Sequence, residues 1–211
     1  MTVDTRDKIE KGISILIGGG IIAYPTDTVY GLGACSDITK AVKRIYEVKN
    51  RSLDMPLPLL VSDFSWIEGL TLSISEAARK LIDSFMPGAL TLVMKKADSI
   101  PDIICGGKDT IALRIPDHPV TISLISGTGS PLIGTSANLS GKPSALSADE
   151  VNNQLGDKID YILDGGLCPG GKESSIVDVT GDIPVLLREG AISKADIEKV
   201  CEIILTGEGN E

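Results

Sequence analysis

Two cations separated by one residue, Lys49 and Arg51, stand just past a predicted helix; Thr26, Asp27 and Thr28 stand just past a predicted strand. Lysine is a point charge and arginine a planar fork of donors, so a pair this close on a helix exit suits an anion gripped from two sides. The same pair also reads as a basic helix end complementing the helix dipole. The Thr-Asp-Thr run reads either as an Asx or ST turn serving its own backbone or as a set of ligand contacts. Ser136-Ala-Asn138 and Ser140-Gly-Lys-Pro-Ser144 read as a polar loop, or as hydroxyl and amide donors for phosphate or base that add no charge.

Rival chemistries fail on spacing. Gly166-Leu-Cys-Pro-Gly-Gly171-Lys172 imitates a phosphate-binding loop, but Glu173 replaces the required Ser/Thr and a strand follows instead of a helix. Gly31-Leu-Gly33 lacks the third glycine of a dinucleotide fingerprint, and a single histidine, His118, argues against a Ser-His-Asp triad.

The elements that must position these residues follow from periodicity. Arg6 to Ile17 repeats apolar residues at helical spacing and stops at three glycines. Ile21, Ile22 and Ala23 form a strand that Pro25 ends, so the hydroxyls follow on a strand end, where α/β proteins put ligands. A helix capped by Asp37 or Thr39 runs to Lys49. Leu59 to Val61 and Leu90 to Met94 read as strands, with a helix over Ser75 to Phe85 between them. The loop from Ala97 to Lys108 is long enough to carry function. In the strand Thr110 to Arg114, alternation puts Thr110, Ala112 and Arg114 on one face. Pro119 to Ile125 is a short helix, and a buried strand over Pro131 to Gly134 delivers Thr135, Ser136 and Asn138 to its end. Ser147 opens a helix to Leu155 with a capping box. Three strands close the pattern (Tyr161 to Leu163, Ile176 to Val179, Val185 to Leu187), the last two as an antiparallel hairpin. Ser193 caps a final helix to Leu205. Alternating strands and helices followed by consecutive strands predict one α/β domain over 1–205, a twisted open mixed sheet with flanking helices, and a polar tail over 206–211.

At 211 residues, 42% hydrophobic and 3% aromatic, the chain has the composition of one globular core without aromatic stacking platforms. A formal net charge of -9 argues against a broad nucleic-acid footprint while allowing a local cation cluster for a small polyanion. The four cysteines lie far apart without metal-ligand spacing and read as reduced core thiols. The N-terminus shows no signal-peptide order, and the uncharged run from Gly12 to Thr26 is glycine-broken and shorter than the ~20 residues of a membrane helix. The expectation is a cytoplasmic protein that does not span a membrane.

The segments Tyr24 to Gly33 with Lys49-Asn50-Arg51, Thr110 to Pro116, Gly134 to Ser144, Ser174 to Asp178 and Leu187 to Gly190 together resemble the YrdC-like family of threonylcarbamoyl-AMP synthases, in the family's order. That resemblance implies an open sheet around a concave, positively lined cavity. It implies an enzyme, a nucleotidyltransferase, that takes L-threonine, bicarbonate and ATP with Mg²⁺ to threonylcarbamoyl-adenylate and pyrophosphate, for modifying tRNA. A downstream threonylcarbamoyl transferase complex is the implied partner, with direct RNA binding weak or absent. The competing class is a non-catalytic nucleotide- or RNA-binding module of the same fold.

By the same resemblance Lys49 and Arg51 are catalytic and hold the triphosphate. Met55, Thr110, Ser136, Asn138, Ser144 and Arg188 complete the ATP site. Thr28, Arg114, Gly134 and Ser174 bind threonine, with Arg114 on its carboxylate; Thr26 and Asp27 shape the turn or orient Lys49. No metal is ligated by the protein. Two positions depart from the pattern. Met55 replaces a polar residue before Pro56-Leu57, so Met55→Lys is expected to tighten ATP binding by ~0.5–1 kcal/mol. Leu60 stands near the place of a histidine. Lys49 and Arg51 are both expected outside the core, where truncation changes stability by ~0.5 kcal/mol or less.

Overall fold

The computed structural model describes residues 3–201. In chain order the elements are α1 (Val3–Ile17), β1 (Ile22–Tyr24), β2 (Gly31–Gly33), α2 (Thr39–Lys49), β3 (Leu59–Leu60), α3 (Phe64–Leu70), α4 (Glu76–Phe85), β4 (Leu90–Lys95) and α5 (Asp102–Cys105). There follow β5 (Thr110–Arg114), α6 (Pro119–Thr128), β6 (Leu132–Ile133), β7 (Thr135–Ser136), α7 (Ala148–Leu155), β8 (Tyr161–Ile162), β9 (Ser175–Asp178), β10 (Val185–Arg188) and α8 (Lys194–Cys201). The fold is mixed α/β with flanking helices. The end of the last predicted helix and the polar tail lie outside the described residues.

The strands divide into two sheets instead of one. A small sheet has the order β7-β2-β1-β8 and a large one β10-β9-β4-β5-β3-β6. Each mixes parallel with antiparallel pairs: β1 runs parallel to β8 but antiparallel to β2, and β5 runs parallel to β3 but antiparallel to β4. The chain changes sheet at Gly134, between β6 and β7. A Cβ there would lie 2.3 Å from Leu60 Cγ, so only glycine lets the backbone cross against β3. Tyr24, fully buried, ties the sheets by donating its hydroxyl to Ile133 O at 2.8 Å. Its ring covers the partner strand so closely that a Cβ at Gly33 would come within 2.6 Å of it, which gives the Gly-Leu-Gly run a packing reason.

Local signals mostly place the elements. Ser75 and Ser147 cap their helices through Ala78 N and Glu150 N, and β9 and β10 form the expected hairpin, with an irregularity before Arg188. Helix α2 differs: its cap is Ile38, without a side-chain bond, because Asp37 instead accepts from Ser130 Oγ. The segment 97–108 is not an open functional loop. It contains α5, whose Ile104 and Cys105 are buried, and Ile104 O accepts from Leu57 N, bracing the chain ahead of β3. All four cysteines are free and buried, and burial pushes the Cys35 and Cys105 thiols up to about 11. Among the described residues no helix is long and apolar enough to cross a membrane.

Candidate active site

A cavity of about 280 Å³ lies between the large sheet and the loops of the small one. Its floor is one face of the large sheet, built at period two from Thr91 and Val93 on β4, Ala112 and Arg114 on β5, and Ser174 and Ile176 at β9. Thr26, Thr28, Val29 and Tyr30 from one turn, with Arg51 and Ser136, wall it in, and Leu187 and Arg188 complete the rim. Among the described residues three arginines line the cavity against a single carboxylate, Glu173, and Lys49 lies directly behind the wall, so a chain of net charge -9 gathers positive charge here.

At one end Arg114 is held in a fixed fork. Its Nε donates to Gly88 O at 2.8 Å, Nη1 to Thr28 Oγ1 at 3.0 Å and Nη2 to Asp27 Oδ1 at 2.5 Å. Three of its five N–H groups are thereby used, which leaves two for a ligand. Burial lowers the Arg114 pKa, and Asp27 opposes that shift. Asp27 therefore serves Arg114, not Lys49. The turn itself is an ST arrangement: Thr26 Oγ1 donates to Val29 O at 2.7 Å and accepts from Thr28 N at 3.1 Å. The turn reading and the site reading of Thr28 both hold, since its hydroxyl reaches Arg114.

The Gly-rich stretch taken above for a phosphate-loop imitation packs over this turn. Gly171 N donates to Thr28 O, and a Cβ at Gly170 would lie 2.6 Å from Asp27 O. Its glycines serve that close approach.

At the other end, Asn50 adopts the left-handed conformation that ends α2 and separates the two cations. Lys49 is only 3% exposed, contrary to the expectation that it lies outside the core. Its Nζ donates to Ser136 O at 2.5 Å, Asn138 O at 3.0 Å and Asn138 Oδ1 at 3.1 Å, which uses all three of its protons. Burial, then repulsion by Arg51, lowers its pKa to about 8. Ser140 Oγ donates to Lys49 O at 2.6 Å, clasping the loop to the helix end. Arg51 faces the cavity: Nη2 donates to Pro56 O at 2.8 Å, while its buried Nε has no partner. An orphaned guanidinium donor on a cavity wall is suited to an anion.

Seven of the predicted site residues line one cavity: Thr28, Arg51, Arg114, Gly134, Ser136, Ser174 and Arg188. Three stand behind it. Lys49 and Asn138 hold Ser136, and Ser144 Oγ donates to Glu173 Oε1 at 2.6 Å. Thr110 shares the floor's strand face but lies beyond Ala112, where it pairs with Lys95. Met55 is 49% exposed and not on the lining; its carbonyl accepts from Tyr46 Oη. Sequence reasoning missed Thr91, whose hydroxyl meets Ser174 Oγ at 2.8 Å, and Glu173, which pairs with Arg188. A lone hydroxyl in the apolar run of β4 signalled Thr91; Glu173 carried no signal beyond adjacency to Ser174.

The Sua5/YciO/YrdC family model, described as telomere recombination, matches residues 14–190. The chain belongs to this family. It is 44% identical to the threonylcarbamoyl-AMP synthase of Bacillus subtilis over 94% of its own length and 58% of that protein's. The crystal structure of Pyrococcus abyssi Sua5 complexed with L-threonine superimposes with a TM-score of 0.92 at 40% identity, covering 97% of this chain and 60% of that one. Escherichia coli YciO gives 0.79 at 29% identity, covering 88% and 90%. The chain thus spans about three-fifths of the first two relatives.

Proposed function

We propose that the chain is a threonylcarbamoyl-AMP synthase, a nucleotidyltransferase that joins L-threonine, bicarbonate and ATP and releases pyrophosphate. The observation that carries this is the division of one cavity between a preformed carboxylate fork, Arg114 with Thr28, and an unsatisfied phosphate-type donor, Arg51, beside a Ser136 that Lys49 holds. Likeness to a Sua5 solved with L-threonine supports the first half.

In the proposed reaction, threonine's carboxylate docks on the two free N–H groups of Arg114, with Thr28 and Ser174 beside it. Its amine adds to bicarbonate, giving a carbamate with loss of water. A carbamate oxygen then attacks the α-phosphate of ATP, the bond to the β-phosphate breaks, and pyrophosphate leaves. The step needs alignment and charge stabilisation and no protein nucleophile. Arg51 and Arg188 meet the phosphates, Ser136 is held by Lys49 and Asn138, and Thr110 and Met55 border the nucleotide from farther out. Mg²⁺ belongs to the substrate here, entering as Mg·ATP. Enclosure between the two sheets protects the carbamate from water. The adenylate would pass to a threonylcarbamoyl transferase for tRNA modification in the cytoplasm. RNA itself binds weakly, because the cations are gathered in one cavity of an acidic protein.

Pyrophosphate release by the purified chain, with threonine, bicarbonate and ATP omitted in turn, tests this reading. Release that requires all three supports it. ATP binding without release would leave a binding module, and tight RNA binding that survives loss of Lys49 and Arg51 would overturn the enzyme.

A further inference from the structure

Among the described residues Glu173 is the one carboxylate on the cavity wall, and the proposed reaction makes no use of it. Its Oε1 accepts from Ser144 Oγ at 2.6 Å and its Oε2 from Arg188 Nη1. Both donors belong to the nucleotide side of the site. Arg188 does not need Glu173 for its position, because Nε and Nη2 both donate to Ser174 O, at 3.1 and 2.9 Å. The main chain of Glu173 is also fixed independently. Its carbonyl accepts from Ala191 N at 2.9 Å, and Gly190 lies so close that a Cβ there would fall 2.2 Å from the same oxygen. Beyond that anchor the side chain is 33% exposed and has solvent to turn into. Its charge also reaches Lys49, where it favours the ammonium against burial and Arg51.

We propose that Glu173 competes with nucleotide phosphate for Ser144 and Arg188, and so sets how tightly the cavity holds polyphosphate. The proposal rests on the nucleotide reading above. Carboxylate and phosphate oxygens accept the same charge-assisted bonds, so binding exchanges one anion for the other while the carboxylate swings outward. Competition of this kind weakens ATP and the product pyrophosphate alike, which favours product release.

Calorimetric titration of ATP, pyrophosphate and adenosine into the wild type, Glu173→Gln and Glu189→Gln tests the exchange. Glu189 is exposed and next to Arg188, so its neutralisation removes a neighbouring charge without touching the contact. Glu173→Gln is expected to bind ATP and pyrophosphate roughly tenfold tighter, the scale of one charge-assisted hydrogen bond, with adenosine unchanged. Glu189→Gln is expected to change none of them. Weaker or unaltered phosphate binding by Glu173→Gln would make the residue a support for Arg188 and sink the proposal; an equal gain in Glu189→Gln would do the same by making the effect one of net charge. A wild type that binds no ATP would remove the nucleotide reading as well, a distinct outcome. Should Glu173→Gln melt at much lower temperature, Glu173→Asp keeps the charge but draws it back from both donors, and the same tightening decides.

Discussion

Arg114 enters the cavity from the middle of the large sheet, whereas Lys49 and Arg51 enter it from a helix exit and the loop beyond. The strand-borne end has an arginine braced by a carboxylate, a hydroxyl and a carbonyl, with Asp27 only 13% exposed at its side chain. The loop-borne end has one cation spent on oxygens of Ser136 and Asn138 and another with a donor unsatisfied. A small carboxylate of fixed shape suits rigid preorganisation; a long, jointed polyphosphate suits donors that still have bonds to make. The same charge type thus has two structural meanings within a single cavity.

The comparison breaks first at Arg114. Arg114→Ala strands Asp27 without its partner and should destabilise the fold by about 3–5 kcal/mol, as loss of one member of a buried ion pair does. Thermal melting together with threonine titration checks it; a near-normal melting temperature would mean that the two ends are built alike. Lys49→Ala and Arg51→Ala come next and should differ from each other. Lys49→Ala removes a donor from three oxygens, of which Ser136 O keeps Asn138 N and Asn138 Oδ1 keeps Ser136 Oγ, and should lose ~1–3 kcal/mol of stability, correcting the small loss expected from the sequence. Arg51→Ala should stay within ~0.5 kcal/mol while pyrophosphate release falls on the order of 10²–10³. Equal melting temperatures for the two variants would erase that distinction.

Gly134→Ala tests the crossing between the sheets. With Leu60 Cγ 2.3 Å from the new methyl, strain of ~1–3 kcal/mol is expected, and the same change made in a Leu60→Ala background should cost less. An equal cost of Gly134→Ala in the two backgrounds would show that the clash lies elsewhere.

Acidity sharpens the loop-borne end. Lys49 titrates near 8 in the fold against an ordinary 10.5, so below about pH 8 it is charged in both states and the penalty for burying that charge is fully present. Between about 8 and 10.5 the unfolded chain holds a proton that the folded chain has released, and stability gains with rising pH. Wild type should therefore gain on Lys49→Met across that window in denaturant titrations, while pyrophosphate release, if the proposed role of Lys49 holds, falls above about pH 8; a gain on the acid side would reverse the assignment. The smallest effect belongs to Met55→Lys. Since Met55 is exposed and off the lining, ATP affinity should move by less than ~0.5 kcal/mol, below the gain expected from sequence, and a larger tightening in a direct titration would bring this position back to the phosphates.

Much of this was legible along the chain, because it depends on neighbours a few residues apart. Alternation put Thr110, Ala112 and Arg114 on one strand face, Pro25 ended β1 ahead of the Thr-Asp-Thr turn, and serines capped α4 and α7. The family's motifs named seven residues that line one cavity. What no local pattern carried were the pairings between distant segments. The split into two sheets at Gly134 depends on Leu60, the partner of Asp27 sits 87 residues away, and Glu173 meets Ser144 and Arg188 across separate loops. The burial of Lys49 belongs with these. A lysine after an amphipathic helix reads as solvated, and only the loop folded over it supplies the three oxygens that take its charge out of water.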